Sequence, residues 1–294
     1  MPASTASARG RYLTPTNSFR DKLPPVPAVT FIAERDRALA ADTPTGAIAL
    51  DIADRLAAPV PATTPLLLAR YLRIRAGERL ALRLRATAAI HYVIRGAGET
   101  IDRADRIGWG EGDIFCLPGG AESSHRATHD AVLWVVSNEP EVAFHHLEPP
   151  AADQSRLEAV HFPAAEIRRH LDAVRATPDT ADASGKVVVF AAGPFETMLS
   201  LTPSMTLALN SMEPGKAQRS HRHNSVAVTL PIEATRCHSM IDGTRVDWQP
   251  YATMITPPTA AHSHHNDGDR LTTFLIVQDG GLFYHCRTIG FSFA

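Results

Sequence analysis

Residues 215–223 of the chain are GKAQRSHRH, and residues 257–266 are PPTAAHSHHN. His221 and His223 are two positions apart, and side chains two apart on a β-strand project from the same face. A later strand that carries His262 can bring a third imidazole beside that pair. Imidazole suits iron, zinc, copper and nickel, whereas calcium and magnesium prefer oxygen ligands. The two stretches therefore predict a small β-barrel that holds a divalent transition metal between His221, His223 and His262.

The same letters also fit a polar surface strand followed by a solvated loop rich in histidine. An isolated H-x-H pair is weak evidence for a metal site, so the interpretation depends on both stretches together. The distribution of histidines favours the site, because seven of the 14 in the chain fall within its last 74 residues.

Most of the chain around these stretches has the pattern of short β-strands. From Thr64 onward, apolar and polar residues alternate and glycines mark the turns, which predicts a sandwich or barrel. The segment FPAAEIRRHLDAVRAT (162–177) instead has apolar residues at helical spacing and predicts a connecting helix. DTADASGK (179–186) is a predicted loop, and the β pattern then runs from Lys186 to Ala294 with no further helix.

The two β segments repeat each other, which predicts two copies of one domain. RLRATAA (83–89) aligns with HRHNSVA (221–227) at an offset of 138, and Pro118 aligns with Pro257 at an offset of 139. We expect a polar, proline-rich arm and lead-in over 1–58, a first domain over 59–150, a linker with a helix over 151–185 and a second domain over 186–294. The arm could wrap a neighbouring molecule or be loose.

Composition excludes several classes of protein. A net charge of −2 and an isoelectric point near 6.7 give no basic surface for nucleic acid. No apolar run approaches the roughly 20 residues of a membrane span, and the N-terminus lacks the apolar centre of a secretory signal. Three widely spaced cysteines indicate reduced thiols, so we expect a cytoplasmic protein.

The spacing of the two histidine stretches resembles the cupin family. Its motifs are G-x5-H-x-H-x3,4-E-x6-G and G-x5-P-x-G-x2-H-x3-N. Gly215 stands six positions before the H-x-H pair, and Pro257, His262 and Asn266 reproduce the second spacing. The resemblance implies an all-β bicupin: two tandem cupin (double-stranded β-helix, jelly-roll) barrels with a short connecting helix, an N-terminal arm and a degenerate first metal site. It also implies a homo-oligomer, either a dimer or a tetramer.

One departure from the motif points to a branch of the family. The glutamate position falls on Ala227, which leaves three neutral ligands and open positions on the metal. Such a site, with HRH and HSHHN, resembles the gentisate and salicylate 1,2-dioxygenases. The resemblance implies Fe(II), with Mn, Ni or Zn possible, and a small hydroxylated aromatic carboxylic acid and O2 as substrates. It makes His264 a catalytic acid–base or O2-orienting residue, where the alternative is an exposed loop histidine.

Other departures concern the substrate pocket. The branch's carboxylate-binding arginine falls on Thr229 and its glutamine falls on Asn210, so the pocket differs from that of the family. Asn210 is therefore a substrate-binding candidate. Four further candidates are Arg219, Trp248, Gln278 and His285. Arg219 is two positions before His221, so on one strand the two side chains would share a face. Trp248 could stack on an aromatic ring, and strand alternation in the C-terminal stretch would place some of its residues, such as Gln278 or His285, inside the barrel. A tryptophan in such a position is more often a core residue than a substrate-binding one.

In the first copy, the offset of 138 places Arg83 and Arg85 in the H-x-H positions, and Ser123 takes the last histidine position. Arginine does not ligate metals in practice, so this copy is expected to bind none. The arginines could bind the carboxylate of an effector, or the other face of their strand could be inside, or they could pair with Glu99 or Asp113.

Three functions fit these observations. The first is a non-haem Fe(II) dioxygenase that cleaves the ring of a gentisate- or salicylate-like acid. The second is a metal-dependent cupin enzyme that works without O2, such as an isomerase or hydrolase. The third is a non-catalytic bicupin that binds a small molecule. Uptake of O2 distinguishes the first from the second, and an open coordination position distinguishes both from the third.

Overall fold

The computed structural model describes residues 5–16, 18, 23–151, 154–178 and 185–294. Most of the predicted loop over 179–186, namely residues 179–184, lies outside the described residues. None of the described helices is both long and apolar enough to span a membrane.

Antiparallel β-strands dominate the described chain. The strands are β1 (Gly46–Ala49), β2 (Leu68–Ile74), β3 (Arg79–Arg83), β4 (Ala88–Arg95), β5 (Ala97–Asp102), β6 (Asp105–Gly110), β7 (Ile114–Pro118), β8 (Glu122–Ala127), β9 (Ala131–Ser137), β10 (Val160–Phe162), β11 (Lys186–Phe190), β12 (Thr206–Met212), β13 (His221–His223), β14 (Ala227–Glu233), β15 (Cys237–Ile241), β16 (Thr244–Asp247), β17 (Met254–Thr256), β18 (His262–Asn266), β19 (Thr272–Gln278) and β20 (Phe291–Phe293). The helices are α1 (Thr5–Arg9), α2 (Ile32–Leu39), α3 (Ala53–Leu56), α4 (Glu139–Phe144), α5 (Ala164–Arg175) and α6 (Gly280–Cys286), and a 3-10 helix covers Gly193–Met198.

The strands form two jelly-roll units, each with a large and a small sheet. In the first barrel the sheets have the orders β1-β2-β9-β4-β7-β10 and β3-β8-β5-β6. In the second barrel they are β11-β12-β19-β14-β17 and β16-β15-β18-β13-β20. The predicted all-β fold of two tandem units joined by a helix is confirmed, with α5 at the predicted place.

Alternation along the strands divides the core into three layers. One face of the large sheet in the second barrel carries Met212 and Phe274, which cluster with Trp248 inside that barrel. The other face carries residues such as Leu230, which cluster with Tyr71 from the first barrel. The two large sheets therefore pack against each other, and each barrel keeps a separate interior.

Part of the predicted arm contacts both barrels of its own chain. Phe31 N–H donates to the Thr253 carbonyl at 2.8 Å, and Ile255 N–H donates to the Val29 carbonyl at 2.9 Å. The chain then forms α2 and β1, and β1 pairs with β2 of the first barrel. Residues 29–31 thus extend the edge of the second barrel's large sheet before the first barrel begins.

The prediction of no helix after Lys186 is wrong, because α6 and the 3-10 helix lie there. Gly281 in α6 packs so closely that a Cβ there would lie 2.6 Å from the Pro203 carbonyl oxygen. Asp279 precedes the helix and accepts the Val226 N–H at 2.9 Å. The first barrel has the same arrangement, since Asn138 precedes α4 and accepts the Thr87 N–H at 2.9 Å.

The alignment that placed Arg83 and Arg85 in ligand positions is also wrong, by one residue. His221 pairs with His262 in the second barrel, whereas Leu82 pairs with Ser123 in the first, so the offset along β3 is 139. Leu82 and Leu84 therefore occupy the H-x-H positions and pack in the interior of the first barrel.

Arg83, the last residue of β3, and Arg85, just beyond the strand, are both exposed to solvent. Arg85 pairs with Glu148 at 2.5 Å, while the expected partners Glu99 and Asp113 pair with Arg106 and His161. The interpretation that these arginines bind an effector inside the barrel is accordingly wrong.

Candidate metal centre

Two neighbouring strands bring three imidazoles together inside the second barrel. Along β13, His221 and His223 are buried and Arg222 between them is exposed. His262 opens β18 and pairs directly with His221. The ring centroid of His262 lies 4.3 Å from that of His221 and 4.8 Å from that of His223. One candidate ligand atom from each of the three residues lies within 4.8 Å of the others, the only such group of three or more His, Cys, Asp or Glu in the described ranges.

Backbone carbonyls orient all three rings in the same way. The Nδ1 atoms of His221, His223 and His262 lie 2.9, 2.8 and 2.9 Å from the carbonyl oxygens of Arg219, Ser225 and Ala260. A carbonyl can only accept, so each Nδ1 carries the proton and donates it. Each Nε2 therefore keeps its lone pair, which is the arrangement that orients histidine ligands in metal sites.

Burial also keeps the rings in the form that binds metal. Burial lowers the pKa of His221, lowers that of His223 to about 4 and lowers that of His262 to about 3. The three imidazoles are therefore neutral near pH 7. A metal ion there would meet three uncharged nitrogen donors.

The wall that faces the imidazoles carries no carboxylate. Ala227, which stands in the glutamate position of the motif, pairs with Gln278 on one side and Thr256 on the other. The Gln278 side-chain amide donates to Nε2 of His223 at 3.0 Å. Gln278 is thus a neutral neighbour of the three imidazoles rather than a charged ligand.

His264 lies beneath the cluster and is 2% exposed, so the alternative of an exposed loop histidine is wrong. Its ring centroid is 5.7 Å from that of His262. Its Nδ1 lies 2.8 Å from the Ser239 hydroxyl, which also accepts the Trp248 indole N–H at 2.8 Å. Burial lowers the pKa of His264, so this ring is also neutral.

The first barrel repeats this hydrogen-bonded group without the metal ligands. Thr100 and His125 are joined at 2.8 Å through Oγ1 and Nδ1, and the Trp109 indole donates to the same hydroxyl at 2.9 Å. Each residue stands 139 positions before its counterpart in the second barrel. The Ser123 hydroxyl, in the position of His262, lies 3.0 Å from Nε2 of His125.

The remaining substrate-binding candidates divide into two groups. Asn210 and Trp248 are buried, and Asn210 accepts a hydrogen bond from the Gln218 side chain at 3.2 Å. Arg219 and His285 are exposed to solvent. Arg219 precedes the first residue of β13 and lies over the Phe293 ring at 3.9 Å, and His285 belongs to a helix rather than a strand.

Sequence reasoning did not single out Ser239 or Thr256. The internal repeat could have found Ser239, because Thr100 stands 139 positions earlier with the same spacing to histidine and tryptophan. Nothing comparable marks Thr256, whose position depends on its pairing with Ala227.

No protein-family model matches the sequence. The 5-nitrosalicylic acid 1,2-dioxygenase of a Bradyrhizobium species is 28% identical over 91 residues, which are 31% of this chain and 44% of that protein. The gentisate 1,2-dioxygenase 1 of Aquipseudomonas alcaligenes is 33% identical over 70 residues, which are 24% of this chain and 20% of that protein. These matches span less than half the length of either relative.

Solved structures match over nearly the whole chain. The salicylate 1,2-dioxygenase of Pseudaminobacter salicylatoxidans superimposes with a TM-score of 0.76 at 11% identity, over 96% of this chain and 92% of that one. A cupin 2 conserved barrel domain protein from Leptotrichia buccalis gives a TM-score of 0.53 at 12% identity, over 87% and 97%. The chain therefore shares the fold of these structures, and short stretches of its sequence resemble the 5-nitrosalicylic acid and gentisate 1,2-dioxygenases.

Proposed function

We propose that this protein is a non-haem Fe(II) dioxygenase that cleaves the ring of a hydroxylated aromatic carboxylic acid. One observation carries the proposal: three neutral Nε2 atoms converge inside the second barrel, and the fourth family position is Ala227 instead of a carboxylate. A divalent ion with three uncharged ligands keeps its positive charge, which favours an acid that chelates through carboxylate and phenolate oxygens.

The names of the similar proteins support this class of substrate. The two relatives act on 5-nitrosalicylic acid and gentisate by their names, and a salicylate 1,2-dioxygenase shares the fold. A non-oxidative cupin reaction would use the same ligands, so the assignment to O2 chemistry needs its own experiment.

Each residue of the site has a role in this proposal. His221, His223 and His262 would hold the iron, which supplies the electrophilic and redox centre for the acid and O2. Gln278 would orient the bound acid from the opposite wall, beside His223. His264, fixed through Ser239, would hold a proton or orient O2 below the ligands. The packed interior around Trp248 and Phe274 excludes bulk water.

Oxygen consumption tests the proposal. The protein is loaded with Fe(II) under argon and then mixed in air with salicylate, gentisate or 5-nitrosalicylate in an oxygen-electrode cell. We expect one O2 to be consumed per acid cleaved. Ring opening is measured as the loss of the aromatic absorption band. Turnover of an acid without O2 would assign the site to non-oxidative chemistry, and no turnover on the whole panel would overturn the proposal.

A matched pair of variants links the activity to the site. His262→Ala removes one ligand, and we expect it to lose both bound iron, measured by mass spectrometry, and oxygen uptake. His170→Ala is the control, because His170 is an exposed histidine on α5. Equal iron content and activity in both variants would place the metal elsewhere.

A further inference from the structure

Two buried hydroxyls in the second barrel have no partner in the protein. Thr229 is 0% exposed and Thr256 is 1% exposed, and neither Oγ1 atom makes a hydrogen bond. A buried hydroxyl without a partner destabilises the folded protein, so such groups are usually satisfied by a ligand or by water.

Both hydroxyls lie on the wall opposite the three imidazoles. Thr256 pairs with Ala227, which pairs with Gln278, and the Gln278 side chain is 3.0 Å from Nε2 of His223. Thr256 is therefore in the row of the wall that faces the ligands. Thr229 pairs with Met254, which packs in the barrel interior, and lies one row deeper on the same face.

The interior around these hydroxyls contains no fixed cation. The only buried arginines in the described chain are Arg70 and Arg73, both on β2 of the first barrel, and no described lysine is buried. Arg219 is exposed to solvent and lies over the Phe293 ring at 3.9 Å. Among the buried side chains of the described second barrel, therefore, none is an arginine or lysine that could pair with a bound acid.

We propose that Thr229 and Thr256 form a neutral subsite whose hydroxyls donate to oxygen atoms of the metal-bound acid. The subsite selects acids whose only ionised groups coordinate the metal, because a further anion would enter an interior without a counter-charge. This proposal rests on the proposed function for its class of ligand. It adds two specificity-determining residues and a charge limit on the substrate.

Isosteric variants test the subsite without using turnover. Thr229→Val and Thr256→Val are loaded with Zn(II), which is redox-inactive, and salicylate is titrated in by calorimetry. We expect about three- to tenfold weaker salicylate binding for each variant, the effect of one lost hydrogen bond, with unchanged affinity for Zn(II). Thr229→Ser keeps the hydroxyl and should restore the affinity.

Thermal unfolding of the ligand-free variants provides the second readout. Removing an unpartnered hydroxyl should raise the melting temperature by about 2–4 °C, whereas removing a hydroxyl that bonds to the protein would lower it. Ser211→Ala is the control, since the Ser211 hydroxyl is also buried without a partner. Ser211 alternates with Met212 and lies on the face between the barrels, so its variant should gain stability and bind salicylate normally.

A pair of ligands of equal shape tests the charge limit. 5-Sulfosalicylate carries an extra anion, and 5-(methylsulfonyl)salicylate carries a neutral group of similar size. We expect the anionic ligand to bind the wild-type protein at least about tenfold more weakly, and equal affinity would overturn the limit. If wild-type protein binds no salicylate at all, the proposed function fails together with the subsite. If wild type binds and both valine variants bind equally well, the subsite alone fails.

Discussion

Replacing Asp279 by asparagine should remove a large pH dependence from the stability of the second barrel. Asp279 is 5% exposed, and burial raises the pKa of its carboxyl to about 7, with a smaller contribution from Glu141. Its Oδ1 accepts the Val226 N–H, a bond that an asparagine carbonyl can also accept. The first barrel already has Asn138 in the corresponding position.

The sign and size of the effect follow from proton linkage. The folded protein holds the Asp279 proton more tightly than the unfolded chain, so stability is lost as pH rises from about 4 to about 7. The shift from 3.8 to about 7 corresponds to about 4 kcal/mol at high pH. Roughly 2–3 kcal/mol of that loss falls between pH 5 and pH 8.

Urea denaturation at pH 5 and pH 8 measures this difference. We expect the free energy of unfolding of Asp279→Asn, minus that of the wild type, to grow by roughly 2–3 kcal/mol between the two pH values. Asn138→Asp is the reciprocal control and should introduce a loss of the same sign in the first barrel. A difference that is the same at both pH values would refute the reasoning, because it would mean that the Asp279 carboxyl has an ordinary pKa.

Three further predictions concern the duplicated fold. Trp248→Phe and Trp109→Phe each remove one indole donor, so each should cost about 1 kcal/mol in urea denaturation, but only Trp248→Phe should reduce oxygen uptake. Tyr71→Phe should cost about 1–3 kcal/mol by the same measurement, because the Tyr71 hydroxyl donates to a carbonyl and accepts an N–H of the second barrel. Histidines at the three matching positions of the first barrel should raise bound Zn(II) from about one to about two ions per chain, and no second ion would contradict the proposed offset. Those positions are Leu82, Leu84 and Ser123.

The fold was predictable because the sequence contains the same pattern of strands and turns twice. Alternation with glycine turns predicted the strands, and the spacing of apolar residues predicted α5. The register of β3 was not predictable, since Leu82 and Leu84 alternate with Arg83 and Arg85 and either pair could face inward. Pairing of Leu82 with Ser123 decides between them, and that contact joins positions 41 residues apart.

The site was only partly predictable for the same reason, because part of it depends on contacts between residues that are distant in sequence. The two-residue spacing of His221 and His223 predicted their shared face, whereas the opposite wall depends on strands that are distant in sequence. Helix α6 has seven residues, too few for a periodic pattern, and Asp279 before it bonds to Val226, 53 positions away. Strand alternation therefore does not apply to His285, which is exposed on α6.

The duplication also bears on how a role for His264 can be established. The first barrel keeps the hydroxyl, histidine and indole of this group although Leu82, Leu84 and Ser123 replace the ligands. The group therefore forms its hydrogen bonds in a barrel that lacks the ligand histidines, and loss of activity on mutation could reflect loss of structure alone. The first barrel provides the control for this structural effect. A loss of stability that occurs in both copies is structural, and only an additional loss of activity in the second copy can be chemical. A variant at His264 is informative only beside the matching variant at His125.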